Sequence, residues 1–414
     1  MKRMGEFLTA LGVTIGLMLV VVPDARCQQK QPIKMAVAVS LTGPLAFGGI
    51  AQTHGAELAV ELINNAGGIL GRPVVLVTRD DEAKPATAIK VVRELNSTEG
   101  VHLFMGTGGS AVALALKPVL QELNSLVITC GAHSTKITGL EWSPNVFRIT
   151  DNAATRNYAF VDLLREKHPG IHKWANVSPD YEYGHSCWDH FTKKMKEKDP
   201  SFSITTDRWP KFGAGGGYGP DINAAIASGA EALYSNLYGS DLLAFIREAK
   251  GFGLFDRIKL FAISELPTDV PYALGKDMVD LWAGAHYLDL AYNNPEAQKF
   301  NKAYRAKFGA DYFAVTHSAA VASYDAVNAY KAAIEKAKTD DPKAVMKALE
   351  NLRIKSPLGE KWIRPGDHQA FFDIPFYHIV PDGKEPRGWR FESWAVIRSG
   401  DIQKSFPVDE AMKY

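Results

Sequence analysis

Residues 40–82 read SLTGPLAFGGIAQTHGAELAVELINNAGGILGRPVVLVTRDDE, and the rest of the chain repeats the pattern that this stretch begins. A short apolar segment, 33–39, precedes a Thr-Gly-Pro turn. Apolar residues then recur with helical spacing up to Gly67-Gly68, where glycine is typical of a helix end, and a second apolar segment follows. A strand, a helix and a strand in this order form a βαβ unit, and open parallel sheets bind ligands in loops such as the one after residue 39.

The same alternation of short apolar segments and amphipathic helices continues through most of the chain. Residues 101–105, VHLFM, run into a Gly-Thr-Gly-Gly-Ser loop, and the apolar segment 126–129 runs into Cys-Gly-Ala-His-Ser. A second series begins after Arg148 and follows a similar plan. Further strands of this series are expected at 174–177, near 204, at 232–236 and at 258–263. Strands that alternate with helices predict α/β architecture, here in two doubly wound domains.

Composition and missing motifs narrow the possible functions. The 414 residues are 46% hydrophobic with a formal net charge of +1, so no nucleic-acid partner is expected. The loop 106–109, GTGG, lacks the G-x-G-x-x-G pattern, and the loop 212–219, FGAGGGYG, lacks the Lys-Ser/Thr of a phosphate loop. No G-x-S-x-G or H-E-x-x-H motif occurs either. The sequence therefore predicts no cofactor and no enzymatic activity.

Residues 1–27 have the pattern of a signal peptide. Lys2 and Arg3 precede an apolar run at 7–22 that contains otherwise only small or hydroxyl residues. An anchor helix is the alternative, because the run is nearly long enough to span a membrane. Lipidation at Cys27 is disfavoured because Arg26 precedes it, where a small residue is usual. Export to the periplasm is the expectation.

Several motifs in their order resemble one family. The (S/T)GP turn, the glycine loop, GAELAV, INNAGGI, GRP and DDE match the opening of solute-binding proteins of branched-chain amino-acid-type ABC transporters, and the resemblance extends to about Trp394. It implies two three-layer lobes with parallel central sheets, joined by a three-strand hinge, with the ligand in the cleft between them. Its implied domains are a first lobe of 33–150 plus 284–356, a second lobe of 151–283 plus 357–400, and a tail of 401–414.

Two loops of the first lobe follow strands and open onto helices, where free backbone N–H groups favour an anion. In the family that this chain resembles, these loops hold the ligand's carboxylate. The positions that correspond are Ser110, Gly131, Ala132 and His133, with Ser134 as a rival because His133 stands where the family has a hydroxyl. The alternative is that these residues only cap helices.

Three residues of the second lobe complete the implied site. Tyr183 and Tyr238 fall at the family's ligand-facing aromatic positions, and Glu265 falls at its amine-binding carboxylate. A carboxylate directly after an apolar strand needs a cationic partner, which an α-ammonium group would supply. The alternatives are half-buried tyrosines that meet water and a glutamate in a salt bridge.

The first loop departs from the family, because Gly48 beside Phe47 stands where amino-acid binders often carry an aromatic residue. Both are predicted to form pocket wall, and the missing ring implies a larger pocket and leaves the ligand open. His185, Cys187 and His190 match no established zinc spacing, so no metal site is predicted.

The resemblance implies the extracytoplasmic substrate-binding component of an ABC importer, which binds a branched-chain or other apolar or aromatic amino acid and delivers it to an inner-membrane permease. Composition gives no sign of an obligate oligomer, so a monomer is expected. An aromatic or other small organic carboxylate is the alternative ligand. A ligand sensor, or an enzyme that uses the same cleft, is the alternative of another class.

Overall fold

The first lobe is built on a fully parallel five-stranded sheet. In the computed structural model, which describes residues 31–266, 269–309 and 318–413, the strand order is β2-β1-β3-β4-β5. The strands are β1 Ile33–Val39, β2 Val74–Asp80, β3 Leu103–Gly106, β4 Leu126–Thr129 and β5 Val146–Arg148. The helices between them are α1 Ala46–Asn65, α2 Pro85–Glu99 and α3 Ser110–Glu122. Because β1 lies between β2 and β3, the topological switch point opens between the loops that follow β1 and β3.

The second lobe is built on a seven-stranded sheet of order β15-β14-β10-β9-β8-β6-β7. Its strands are β6 Lys173–Val177, β7 Ser203–Arg208, β8 Ala232–Ser235, β9 Leu260–Ile263, β10 Leu281–Gly284, β14 Ile374–Pro381 and β15 Trp389–Ile397. Its helices are α4 Ala153–Lys167, α5 Glu182–Lys198, α6 Gly219–Ala227, α7 Gly239–Gly251 and α8 Asp269–Leu274. Strands β6 to β10 are parallel, as predicted for this sheet, although β10 was not among the predicted strands. Strand β14 departs from the parallel arrangement, because it pairs antiparallel with β10 and, through a short connection, with β15.

The chain returns to the first lobe after β10. Helices α9 Pro295–Phe308, α10 Ser318–Ala337 and α11 Pro342–Leu349 follow, and α10 packs along α1. The approach is close at Gly55, where an added Cβ would lie 1.9 Å from the carbonyl oxygen of Ala320. Only glycine fits there, which accounts for the glycine of the GAELAV motif.

A small antiparallel sheet lies beside the connections between the lobes. It consists of β11 Arg353–Ser356, β12 Gly359–Ile363 and β13 Ala370–Phe371. The chain passes between the large sheets after β5, after β10 and between β13 and β14. Residues 357–371, which the sequence analysis assigned to the second lobe, therefore lie outside the seven-stranded sheet; the exact lobe boundaries stay a prediction.

The C-terminal segment packs against the second lobe as two short helices, α12 Ser399–Ser405 and α13 Val408–Ala411. Phe406 contacts the ring of Tyr158 edge-on, and Lys193 donates to Glu410 at 2.5 Å. The predicted signal peptide lies outside the described residues. Of the helices that the structure describes, none combines the length and the apolar character needed to cross a bilayer.

Candidate functional site

A cavity lies between the two lobes, at the carboxyl ends of both sets of parallel strands. Its volume is about 30 Å³, room for about two water molecules, and therefore well below the size of a typical ligand site. The first lobe contributes Leu45, Gly48, Gln52, Gly108, Cys130, Gly131, His133 and Ala319; the second contributes Tyr181, Tyr183, Tyr238 and Glu265; the connections contribute Thr150 and His286. In this closed arrangement a larger molecule can enter only if the lobes separate.

Six of the ten residues predicted for the site line this cavity, and four do not. The six are Gly48, Gly131, His133, Tyr183, Tyr238 and Glu265. Ser110 is buried and its hydroxyl accepts the backbone N–H of Ser134 at 3.1 Å, so it ties the two first-lobe loops together. Ala132 is fully buried, and Phe47 is 38% exposed.

Ser134 fits the capping alternative. Its hydroxyl oxygen accepts the N–H of Lys136 at the start of a 3₁₀ turn. The same hydroxyl donates to Glu182 of the second lobe at 2.7 Å, so it also joins the lobes. In this structure Ser134 therefore supports the local turn and a contact between the lobes, and it does not line the cavity.

A buried arginine holds the loop that follows β4. The guanidinium of Arg148 donates to the carbonyl oxygens of Ala132 at 3.1 Å and Ser134 at 2.7 Å. It also donates to Thr138 and, at 2.7 Å, to Gln369 on the segment between the lobes. Burial lowers the pKa of Arg148 to about 9, which still leaves the guanidinium charged at neutral pH. This loop therefore has a positive charge on the side where its carbonyls point.

On the opposite wall, Glu265 belongs to a buried charged network. Arg156 on α4 donates to Glu265 at 2.5 Å and to both carboxylate oxygens of Asp151 at 2.6 Å. His133 Nε2 lies 3.3 Å from Glu265, and His133 Nδ1 lies 3.0 Å from the carbonyl oxygen of Asp151. Burial alone would raise the pKa of Asp151, but Arg156 and His133 outweigh it and hold that pKa well below its usual range.

This network corrects one premise of the sequence analysis, since Glu265 is not a lone carboxylate. Arg156 supplies the cation, as the salt-bridge alternative anticipated. Two carboxylates nevertheless share one guanidinium, so Arg156 alone does not balance the charges of Asp151 and Glu265. His133 of the first lobe is the other group that lies within 3.3 Å of both acids. Glu265 remains part of the cavity wall.

The space expected beside Gly48 is occupied. A Cβ at Gly48 would lie 3.1 Å from the hydroxyl oxygen of Tyr238, which reaches across from the second lobe. The missing first-lobe ring is therefore replaced by a second-lobe phenol, and the closed cavity is not enlarged. Gly239, next in the chain, touches Pro44 of the first lobe in the same contact, where an added Cβ would lie 2.5 Å from the Pro44 carbonyl oxygen.

Four polar atoms in the cavity wall have no hydrogen-bond partner among the residues that the structure describes. They are Gln52 Oε1, Thr150 Oγ1, the Tyr183 hydroxyl and His286 Nδ1. Each of these side chains is at least nine-tenths buried. Buried polar groups are normally paired, so such a concentration in one cavity indicates a site that a polar ligand or water completes.

The two histidines of α5 have separate partners. His185 pairs with Asp180 at 2.9 Å, and His190 lies 2.8 Å from the Thr135 hydroxyl. In the described part of the chain, no three His, Cys, Asp or Glu side chains are grouped to hold a metal ion. Cys130 and Cys187 are free, and burial raises the pKa of each thiol to about 12. Both are unreactive thiols in this environment.

The comparisons with known proteins agree with this geometry. A family described as periplasmic binding protein matches residues 32–384. The chain belongs to the periplasmic binding protein family. The predicted fold class, with two α/β lobes around an interlobe cleft, is thereby confirmed.

Curated relatives of this family member cover most of its length. The Leu/Ile/Val-binding protein homolog 7 of Brucella suis is 29% identical over 343 residues, 78% of this chain and 82% of that protein. Homolog 4 of Brucella melitensis is 24% identical over 359 residues, 83% of each chain.

Solved structures share the fold. A solute-binding protein of an ABC transporter from R. palustris in complex with benzoate superposes with a TM-score of 0.77 at 22% identity, covering 89% of this chain and 97% of that one. The substrate-binding protein LivJ of Streptococcus pneumoniae in complex with isoleucine has a TM-score of 0.76 at 19% identity, covering 89% and 99%.

Sequence reasoning missed several residues of the cavity wall. Gln52 lies one helical turn after Gly48 on α1, and Thr150 lies two residues beyond β5, so position relative to predicted elements could have found both. Tyr181 stands in the same SPDYEYGHS segment as Tyr183. His286 had no signal of this kind, because its place depends on how the chain leaves the second lobe.

Proposed function

We propose that this periplasmic binding protein is the extracytoplasmic component of an ABC importer and that it closes its lobes over an amino acid. The observation that carries the proposal is the polarity of the cavity. The positively charged Arg148 lies behind one wall, and the charge that Arg156 leaves unbalanced lies in the other. A zwitterion with its carboxylate at Gly108 and Gly131 and its ammonium group at Glu265 matches that polarity.

The aromatic residues support the same assignment. Tyr181, Tyr183 and Tyr238 line the cavity beside Glu265. Tyrosine faces attract cations and also pack against apolar side chains, so they suit an amino acid with an apolar or aromatic side chain. Closure of the lobes brings these rings onto the ligand. The ligand must bind the closed form more tightly than the open form, because equal affinity would not shift the protein toward the closed form that the permease recognises.

The family supports the location and the partners. Its members act outside the cytoplasm, pass a small molecule to a membrane permease and form a class of binding proteins rather than enzymes. We therefore propose a transport role in the periplasm for this chain. A sensor role would use the same cleft with a receptor in place of the permease.

An aromatic carboxylate is the second candidate ligand. Glu265 already has Arg156 as its cationic partner, so an acid without an amine would not have to neutralise it. The benzoate complex of a protein of the same fold supports this candidate.

The experiment is a binding assay with two variants. We expect Glu265→Gln to weaken binding of the preferred amino acid by about 10- to 100-fold, because a charge-assisted hydrogen bond is lost. Glu335→Gln, on an exposed helix face, is the control and should leave affinity unchanged. Calorimetry with refolded protein against leucine, phenylalanine, benzoate and 4-hydroxybenzoate measures both effects. Unchanged amino-acid affinity in Glu265→Gln, or binding of the benzoates alone, would reject the ammonium role of Glu265.

A further inference from the structure

His286 occupies an unusual place in the cleft. It lies two residues beyond the end of β10, on the second connection between the lobes, and it is a 1% exposed residue of the cavity wall. Its Nδ1 has no partner among the residues that the structure describes. Burial lowers the pKa of His286 well below its usual value, and the neighbouring Lys361 lowers it further, so the ring is neutral at physiological pH.

Lys361 determines which ring nitrogen carries the hydrogen. The Lys361 ammonium group on β12 is fully buried and lies 2.8 Å from the carboxylate of Asp325 on α10. It donates to the carbonyl oxygen of Ile149 at 3.0 Å and lies 3.1 Å from His286 Nε2. Burial lowers the pKa of Lys361, whereas the adjoining Asp325 carboxylate acts in the opposite direction and favours the ammonium form. An ammonium group has three donors and no acceptor, so all three are used and Nε2 is the acceptor. A neutral imidazole that accepts at Nε2 carries its hydrogen on Nδ1.

We propose that His286 is a ligand-binding residue whose Nδ1–H donates to an oxygen of the ligand, and that Lys361 is a positioning residue that fixes this donor. The proposal rests on the proposed function, since it assigns a further contact of the same site. The group that His286 binds must be an acceptor, either a carboxylate oxygen or a carbonyl or hydroxyl oxygen. An ammonium group cannot occupy this position.

Thr150 strengthens the assignment. It lies on the first connection between the lobes, and its hydroxyl also has no partner in the described part of the chain. Lys361 binds the carbonyl oxygen of Ile149, the preceding residue, so one lysine ties the segments that carry Thr150 and His286. Lys361 thus holds both segments that carry the unpaired groups, the Thr150 hydroxyl and His286 Nδ1. Both segments belong to the connections, whereas the other cavity residues belong to one lobe or the other.

The first test needs no ligand. Long-range ¹H–¹⁵N spectra of histidine-labelled protein distinguish the two neutral tautomers, and assignment uses the His286→Gln variant, from which the His286 signals are missing. We expect His286 to carry its hydrogen on Nδ1. A hydrogen on Nε2 would overturn the proposal, because the lysine would then be the acceptor and Nδ1 would have no hydrogen to donate.

The second test uses a matched pair of variants. Asparagine places its amide near the position of Nδ1, whereas glutamine places its amide near Nε2 and keeps a partner for Lys361. We expect His286→Gln to retain the melting temperature but to bind L-leucine or 4-hydroxybenzoate about tenfold more weakly. We expect His286→Asn to have a lower melting temperature, because Lys361 loses its partner, but to keep its affinity for the ligand within about threefold of wild type. Equal affinity in wild type and His286→Gln would overturn the ligand contact.

The two proposals fail in different ways. If neither L-leucine nor 4-hydroxybenzoate binds the wild-type protein, the result counts against the proposed function, while the tautomer spectrum still decides whether Lys361 fixes the donor. If a probe binds and Glu265→Gln weakens it but His286→Gln does not, the proposed function stands and the His286 assignment is rejected.

Discussion

The two lobes contribute different kinds of groups to one cavity. The first lobe offers three glycines, Gly48, Gly108 and Gly131, beside Leu45, Gln52 and His133, whereas the second lobe offers three tyrosines and Glu265. Backbone N–H groups are the same whatever the residue, so the first-lobe wall suits the group that all ligands of a class share. Side chains differ in charge and shape, so we expect the second lobe to decide which ligand is preferred.

The largest expected effect tests the charged network of the second wall. Arg156→Met removes the guanidinium and leaves Asp151 and Glu265 buried without their cation. We expect the free energy of unfolding to fall by about 3–5 kcal/mol, the usual cost of breaking a buried ion pair from one side. Denaturant unfolding followed by circular dichroism measures it.

An exposed arginine provides the control. Arg93 pairs with Glu122 at 2.6 Å on the surface, with both side chains about half exposed, so Arg93→Met should change stability little. If the two substitutions cost the same, Arg156 does not hold the network together, and the negative charge assigned to the second wall would have to be reconsidered.

The contrast between the lobes also separates what the sequence could predict from what it could not. Gly131 and His133 directly follow a short apolar strand, and parallel topology puts such loops at the ligand end of the sheet. Strand ends therefore point to the loop, and the resemblance to the family selected the residues within it. Tyr183, Tyr238 and Glu265 were found by resemblance to the family, and all three line the cavity.

The partners of these side chains were not predictable. Arg156 lies on α4 and reaches Glu265 across 109 positions of sequence, and no local pattern marks that pair. Lys361 and His286 come from different connections and meet only because the three chain passages lie side by side. Ser110 was placed correctly at the start of a helix, yet its hydroxyl binds the neighbouring loop, because side-chain direction depends on packing rather than on strand order.

The second prediction addresses the first-lobe wall. In Gly131→Ala the added Cβ would lie 2.7 Å from Gln52 Nε2, the end of a flexible side chain, so the amide can shift without loss of the fold. We expect stability to change little and affinity to fall about fivefold to tenfold, equally for every ligand that binds, because the disturbed wall holds the shared group. Calorimetry with two ligands that differ in their side chains measures the ratio of wild-type to variant affinity for each ligand.

Gly170→Ala is the matched control, since a Cβ at Gly170 meets nothing within 4 Å. A change in ligand preference in Gly131→Ala, rather than a uniform loss, would contradict the division of roles between the lobes.

The smallest expected effect concerns contacts that join the lobes outside the cavity. Glu182 accepts from the Ser134 hydroxyl at 2.7 Å and from Lys136 at 2.9 Å, at a partly exposed position. Partly exposed ion pairs contribute little, so Glu182→Gln should weaken binding by less than about fivefold. Because the contact involves no ligand atom, the loss should be the same for all ligands and should shrink at high salt. If Glu182→Gln weakened the binding of one ligand only, Glu182 would be part of the binding site. Second-lobe side chains at the edge of the cleft would then also decide which ligand is preferred.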